Sequence, residues 1–434
     1  MKRRTVLTGG GAVALTGLGI WALRPEKVGA MHDPYFSRLC AAVQREGINR
    51  PVLVIDQQRL NANSQAIRTS VTQAGLSLRI VAKSLPAPQL LDAVMTRTGT
   101  QRLMVFSAQM LAQLAAHHPG ADYLLGKPLP VAEFLRLVDL AGPAFAAQVQ
   151  WLIDTPARLA QYVDAAQARG IALRVSFEID VGLHRGGFAD APTLAQAARS
   201  AQSAGAEIAG LMGYDPHVPK MPNPAGAYSE SQNAYGAALA VLQDGGLDPA
   251  RLTCNSAGSP TFRRHCQNTV ASEVSVGSAF VKPGDFDYPD LADLTPAAFV
   301  VTPVLKADYD QQLPGAEAFS GAMHWWDRNT TRGFFIHGGH WLAKPVSPQG
   351  LQYSSLFGRS SNQELLTGST QIDLKPDDAV VLRPDQSEAL FLQFGDIAVF
   401  DGSRIAQFRP TLPVSALSAC FCLSPAAPGP LGLI

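Results

Sequence analysis

The chain has 434 residues, 47% of them hydrophobic, and its 35 Lys and Arg balance its 35 Asp and Glu. That length suits two domains, and a chain this apolar can bury a large core, which excludes disorder throughout. Zero net charge without a long basic block excludes nucleic acid as the expected partner, because phosphate binding needs concentrated positive charge.

The amino terminus opens on Lys2, Arg3 and Arg4, followed by an apolar run from Val6 to Leu23 and the small residues Val28-Gly29-Ala30. This order is that of an export signal over residues 1–30, and the adjacent Arg3-Arg4 is its twin-arginine form. The expected location is periplasmic, with no stable membrane span once the signal is cleaved. The alternative is an uncleaved anchor, since the run is about long enough to span a bilayer. Neither reading gives this segment a place in the fold. The five cysteines, Cys40, Cys254, Cys266, Cys420 and Cys422, form no C-x-x-C pair and read as buried small hydrophobes.

After the signal, short β-rich apolar runs alternate with Ala/Leu/Gln-rich stretches of helical spacing. The runs are Leu78–Ala82, Arg102–Phe106, Asp122–Gly126, Gln148–Ile153, Leu173–Ile179, Ile208–Gly213, Leu252–Ser256 and Glu273–Ser278. Helical segments between them include Ala87–Thr98, Ala108–His118, Val131–Ala141, Pro156–Ala168 and Thr193–Ala204. Alternating β and α units imply a parallel sheet with crossover helices, and eight units imply a closed (β/α)₈ TIM-type barrel. A doubly wound open sheet would carry a similar count. The barrel, with the segment leading into it, is assigned to residues 31–297.

Beyond Ala298 the helical spacing fades. Val300–Ala307, Gly333–His337, Asp378–Leu382, Ala389–Phe394 and Ile397–Phe400 read as short strands. Gly338-Gly339, Asp401-Gly402 and the Pro345/Pro348 pair read as turns between them. Residues 298–434 are therefore expected to form a second, mostly antiparallel β domain, with a loose Pro-rich tail from Ser424.

Barrels carry their chemistry at the carboxyl ends of their strands. The first run ends in Val81-Ala82-Lys83-Ser84, which would bring Lys83 to the mouth, where low dielectric favours its neutral, nucleophilic amine. Taken alone, Lys83 would also suit an exposed loop. The fifth run ends in a polar turn, Glu178 to Phe188, whose Arg185 can donate to an anion as a rigid fork, with His184 as its structural neighbour. The sixth ends in Gly213-Tyr214-Asp215-Pro216-His217. The seventh and eighth end in Ser256-Ala257-Gly258-Ser259 and Val276-Gly277-Ser278, small hydroxyl-bearing turns that suit a phosphate.

These residues resemble the fold-type III pyridoxal-phosphate enzymes, the alanine racemase-like barrel group, and within it the D-threonine aldolase and D-serine dehydratase branch. The likeness runs from about Arg50 to about Pro410. Pro51-Val52-Leu53-Val54-Ile55-Asp56, with Leu60 and Asn63, looks like that branch's leading segment. Leu78 to Lys83 is similar to its lysine strand, and Glu178-Ile179-Asp180-Val181-Gly182 with Arg185 and Gly187 is the most specific match. Gly210 to Tyr214, Asn255 to Phe262 and Glu273 to Ser278 resemble the strands that follow.

The resemblance implies pyridoxal 5'-phosphate held by Lys83 as a Schiff base, with Arg185, Tyr214, Ser256, Ala257, Gly258, Ser259, Gly277 and Ser278 around it. It implies a small amino-acid substrate and suggests a homodimer. The expected activity is that of a lyase on a D-β-hydroxy amino acid, with Lys83, Arg185, Tyr214 and His217 as the catalytic set. Racemisation or non-catalytic binding of the cofactor are the alternatives. The branch's His-x-Cys or His-x-Asp metal pair is missing after Gly395-Asp396, where Ile397 to Ala406 contains neither His nor Cys. No metal ligand is therefore assigned and a divalent metal is left without its usual pair. His337 and His340 could serve as substitute ligands, but two histidines alone do not make a site.

Overall fold

The structure, a computed structural model, describes residues 24–413 except 310, 313 and 357. The export motif, Cys420, Cys422 and the tail from Ser424 lie outside the described residues.

Strand β1 (Val52–Asp56) precedes the barrel. The barrel strands are β2 (Ser77–Val81), β3 (Arg102–Val105), β4 (Asp122–Leu125), β5 (Trp151–Ile153), β6 (Arg174–Glu178), β7 (Glu207–Met212), β8 (Thr253–Ser256) and β9 (Glu273–Val276). All neighbouring pairs within this sheet run parallel. The ring closes between β4 and β5, where Gln150 N donates to Tyr123 O (2.8 Å) and Leu125 N donates to Gln150 O (3.0 Å). The eight expected strands and their connecting helices are thus present, as a barrel rather than a doubly wound sheet.

The helices start where the sequence supplies side-chain caps. Ser107, Thr155, Asp190 and Asn223 each accept a backbone N–H of the first turn. Each helix buries one stripe against the outer face of the barrel, and apolar residues fill much of its interior.

One layer inside the barrel is polar. The guanidinium of Arg79 on β2 is fully buried and donates to both Glu273 carboxylate oxygens (2.6 and 3.1 Å), to Asp122 Oδ2 (3.2 Å) and to the carbonyls of Leu103 and Asp122. Asn255 and Arg102 also donate to Glu273, Gln150 donates to Asp122, and Ser176 donates to Gln150. Contact with its carboxylate partners keeps Arg79 charged against the opposing cost of burial.

The second sheet adds β10 (Ala298–Tyr309), β11 (Arg332–His337), β12 (Ala343–Ser347), β13 (Gln352–Tyr353), β14 (Gln363–Gly368), β15 (Ala379–Pro384), β16 (Asp396–Phe400) and β17 (Ile405–Pro410). It is antiparallel except where β1 runs parallel to β16. The leading strand β1 lies inside this sheet, between β10 and β16. Its alternation splits the core. Val52 and Val54 pack under the helix Pro34–Arg45, while Leu53 and Ile55 join the larger cluster that includes the barrel.

Three expectations need correction. Ala389–Phe394 is no strand: it holds a short 3₁₀ turn, Phe391–Gln393, with Leu390 before it, and Leu390 and Phe391 are buried and donate their N–H groups to Ser387 O. Apolar content alone does not distinguish a buried turn from a strand. Pro345 lies within β12 rather than in a turn, which an edge strand tolerates, since among the described residues β12 pairs only with β15. Finally, residues 24–30 do have a place in the fold. Ala30 exchanges two backbone hydrogen bonds with Gln349, Val28 N donates to Asn329 Oδ1 (2.9 Å), and Asn329 Nδ2 donates to Glu26 O (2.8 Å).

Because Glu273 compensates a buried cation, its replacement by an apolar residue leaves Arg79 short of charge. Glu273→Leu is expected to cost about 3–5 kcal/mol, measured by urea unfolding. A loss below about 1 kcal/mol would remove the polar layer from the determinants of stability.

Candidate active site

The cleft opens where the barrel mouth meets the second sheet and encloses about 150 Å³. Strand alternation prepares it. Arg79 points inward in the polar layer, Val81 two residues on lines the cleft, and Lys83 follows on the short 3₁₀ turn Ala82–Ser84 that caps the strand. The Lys83 ammonium lies 3.1 Å from Glu388 Oε1 and 4.7 Å from the centre of the Phe106 ring.

Arg185 reaches the cleft from the glycine-rich turn after β6. Its guanidinium lies 3.5 Å from Glu178 Oε1 and 4.9 Å from the centre of the Tyr214 ring. Burial pushes the Glu178 carboxyl up, and neighbouring Arg185 offsets only part of this. Gly187 has φ +93°, and a Cβ there would come 2.8 Å from Glu178 O, so the turn needs glycine at that position. His184 stands outside the cleft, with its ring 2.8 Å from Asp180 Oδ2.

Burial pushes the Tyr214 phenol up to about 12. At neutral pH it is therefore a hydrogen-bond donor rather than a base.

The two small-residue turns are bound to one another. Ser259 Oγ accepts the N–H groups of Gly277 (3.1 Å) and Ala279 (3.0 Å). Beneath them Thr261 donates to Asp215 Oδ1 (2.6 Å), and the His265 ring lies 2.9 Å from Asp215 Oδ2, with all three residues buried. A Cβ on Gly258 would fall 2.5 Å from the Tyr214 ring, and one on Gly277 would fall 2.6 Å from Ser84 Oγ.

Of the residues expected from the sequence, Lys83, Arg185, Tyr214, Ala257, Gly258, Ser259, Gly277 and Ser278 line this one cleft. Ser256 and His217 do not line it. Ser256 Oγ is buried with no partner, and the His217 ring packs beside Gly182 with its Nδ1 equally unpartnered. Glu388, Phe106 and Ser84 line the cleft without having been expected. Glu388 belongs to Asp385-Gln386-Ser387-Glu388, a stretch with no motif spacing to announce it.

No described group of three or more His, Cys, Asp or Glu residues is arranged to hold a metal ion. His337 ends β11, and its carbonyl accepts from Thr302, while the backbone N–H of His340 donates to Glu364. The cleft residues do fit a phosphate-bearing aldehyde cofactor. They offer an amine, a guanidinium and two hydroxyl-bearing turns without bulky side chains, and Ser256 keeps an unpaired hydroxyl beside them.

Residues 55–283, more than half of the chain, match the family described as "Alanine racemase, N-terminal domain". The chain belongs to this family. Alanine racemase-like homologues use pyridoxal phosphate. Among solved structures, the fold is similar to D-threonine aldolase from Filomicrobium marinum, with TM-score 0.68 and 17% identity over 84% of this chain and 94% of that one. D-threo-3-hydroxyaspartate dehydratase from Delftia sp. HT23 matches with TM-score 0.65 and 16% identity over 83% and 97%. Alanine racemase from Clostridium difficile 630 matches with TM-score 0.61 and 12% identity over 83% and 98%. No curated protein matches the chain. These likenesses show the alanine racemase-like, fold-type III architecture of a barrel with a β domain.

The crowding at Gly258 gives a test of the cleft wall. Gly258→Ala is expected to drive the Tyr214 ring from its seat at a cost of about 1–3 kcal/mol in stability. Thermal unfolding reads this, and an unchanged melting temperature would mean that Tyr214 yields freely.

Proposed function

We propose that the chain is a pyridoxal-phosphate-dependent lyase acting on a D-β-hydroxy amino acid, with Lys83 as the cofactor lysine. The observation that carries the reading is the convergence of the Lys83 amine and the two small-residue turns on one cleft. The likeness to D-threonine aldolase and D-threo-3-hydroxyaspartate dehydratase supports the lyase class.

When bound, pyridoxal phosphate supplies the electron sink for the bond that breaks at the substrate α-carbon. The remaining work falls to this chain. Ala257, Gly258, Ser259, Gly277 and Ser278 surround the phosphate, with the Ser259 hydroxyl as a donor, while Ser256 lies behind this lining. Arg185 orients cofactor or substrate through its guanidinium, and Glu178 holds that guanidinium in turn. Tyr214 donates a hydrogen bond at the reacting end. The Lys83 amine takes or returns the substrate α-proton.

Racemisation is the second reading, and one observation favours it. The second domain offers Lys83 a carboxylate, Glu388, and Ile397 to Ala406, where the branch carries its metal pair, contains neither His nor Cys. Racemisation needs no group dedicated to a β-hydroxyl. For the amino-terminal segment we propose export to the periplasm. If processing occurs, a cut upstream of Arg24 would preserve the contacts of residues 24–30.

Purified protein incubated with pyridoxal phosphate is expected to turn yellow, and borohydride is expected to fix the cofactor on the peptide carrying Lys83, read by mass spectrometry. Lys83→Ala should lose both signals. In a panel of D- and L-amino acids, aldehyde or keto acid marks the lyase, while loss of optical purity alone marks the racemase. A colourless wild type with no product overturns both.

Tyr214→Phe should slow turnover by about 10²-fold. Because the Tyr214 phenol stays protonated to about 12, the wild-type pH–rate profile should show no Tyr214 step between about pH 5 and 9.

A further inference from the structure

Glu388 is the one carboxylate within hydrogen-bond distance of Lys83 Nζ among the described residues, and nothing so far gives it a task. Its backbone belongs to the second domain, just past β15, while its side chain reaches the barrel mouth. The two carboxylate oxygens have different surroundings. Oε2 accepts from Ser387 Oγ (3.2 Å) and Ser278 Oγ (3.3 Å). Oε1 faces the Lys83 ammonium at 3.1 Å. The turn beneath is firmly seated, because Ser387 is fully buried and its carbonyl accepts the N–H groups of Leu390 and Phe391.

Stability does not account for this pair. The Lys83 and Glu388 side chains are 37% and 31% exposed, and ion pairs that open to water contribute little. Attachment of the second domain is provided elsewhere. Arg383 on β15 donates to both oxygens of Asp287 (2.8 Å each) and to the carbonyls of Lys282 and Pro283. A carboxylate fixed by hydroxyls on one oxygen and aimed at an amine with the other is placed to hold that amine and to exchange a proton with it.

We propose that Glu388 is the positioning residue and proton partner of Lys83: it holds the ε-ammonium at the cleft and carries the proton that the amine must shed to act as nucleophile or base. The inference rests on the reading of Lys83 as the cofactor lysine. In cofactor loading, one proton moves from Nζ to Oε1, leaving a neutral amine and a carboxylic acid. The nitrogen lone pair forms a bond to the aldehyde carbon as the C=O π pair moves to oxygen. A second nitrogen proton passes to that oxygen, giving a hydroxyl. The hydroxyl leaves with the C–O bonding pair and takes the proton from Glu388, departing as water. Nitrogen closes the C=N bond, keeping one proton and a positive charge. Glu388 ends as a carboxylate, so atoms and charge balance and no other reagent is consumed. The same acid and base serve whenever Lys83 leaves or rejoins the cofactor.

The test uses the full chain freed of cofactor and follows the visible band that grows when pyridoxal phosphate is added. Borohydride and mass spectrometry confirm Lys83 as the labelled residue. Glu388→Gln keeps the shape of the side chain and removes its proton affinity. It is expected to melt as the wild type does and to load about 10²-fold more slowly. Glu388→Asp should recover part of the rate. Glu388→Ala should load faster in proportion to added formate, a small carboxylate that fits the vacated space. Wild-type loading rates in Glu388→Gln, or indifference of Glu388→Ala to formate, overturn the assignment of Glu388 alone. A wild type that never labels at Lys83 overturns the cofactor reading and this inference together.

Discussion

A single buried cation organises the barrel. Arg79 could not be held without solvent unless carboxylates and carbonyls surrounded it, because an unpaired charge in a core is too costly. Its partners lie on β3, β4 and β9, and their own partners lie on β8, at the start of β5 and on β6. A parallel barrel bonded by backbone alone could shift its register, whereas this layer makes any slip break several charge-assisted bonds at once. Because β2 is locked at Arg79, Val81 and Lys83 reach the mouth at a fixed height. The reactive end of β2 is thus set by an ion network two residues below the cleft lining.

The second sheet completes the cleft rather than merely adjoining it. The barrel alone supplies Lys83, Arg185, Tyr214 and the two turns, but the cleft wall facing the lysine includes a loop of the second domain that carries Glu388. Burial would lift the Glu388 carboxyl, yet the Lys83 ammonium, its own backbone N–H and the Ser387 hydroxyl together hold it below its ordinary value. A carboxylate of low proton affinity beside an amine is a charge partner at rest.

The barrel was legible because its signals are local. Apolar runs, capped helices and glycine turns each declare themselves within a few residues, and their alternation leaves few topologies. The cleft lining followed because strand ends in a barrel converge whatever the sequence between them. What escaped depends on pairing across the chain. Arg79 reads as an interruption in an apolar strand until Glu273 and Asp122 are brought beside it. Val52–Asp56 reads as a segment leading into the barrel, and only its pairing shows that it belongs between β10 and β16. Glu388 has no neighbours of diagnostic spacing, and its chemistry appears only when β15 delivers it opposite Lys83. Strands β12, β13 and β17 carry polar residues on their open faces, and β14 buries Glu364 and Thr367 beside its leucines, so period-two alternation is diluted in them.

The position of β1 has a consequence for biosynthesis. Val52 pairs with Val301, and Leu53 pairs with Ile397. As the chain leaves the ribosome, β1 emerges early, β10 only after all the barrel strands and β16 later still, so the barrel segments can collapse while β1 still has both hydrogen-bonding edges bare. Loop closure over such a span is slow, and a bare apolar strand is a target for holdase chaperones and for aggregation. The nascent protein therefore carries a sticky ribbon throughout translation that is sheathed only near the end of synthesis.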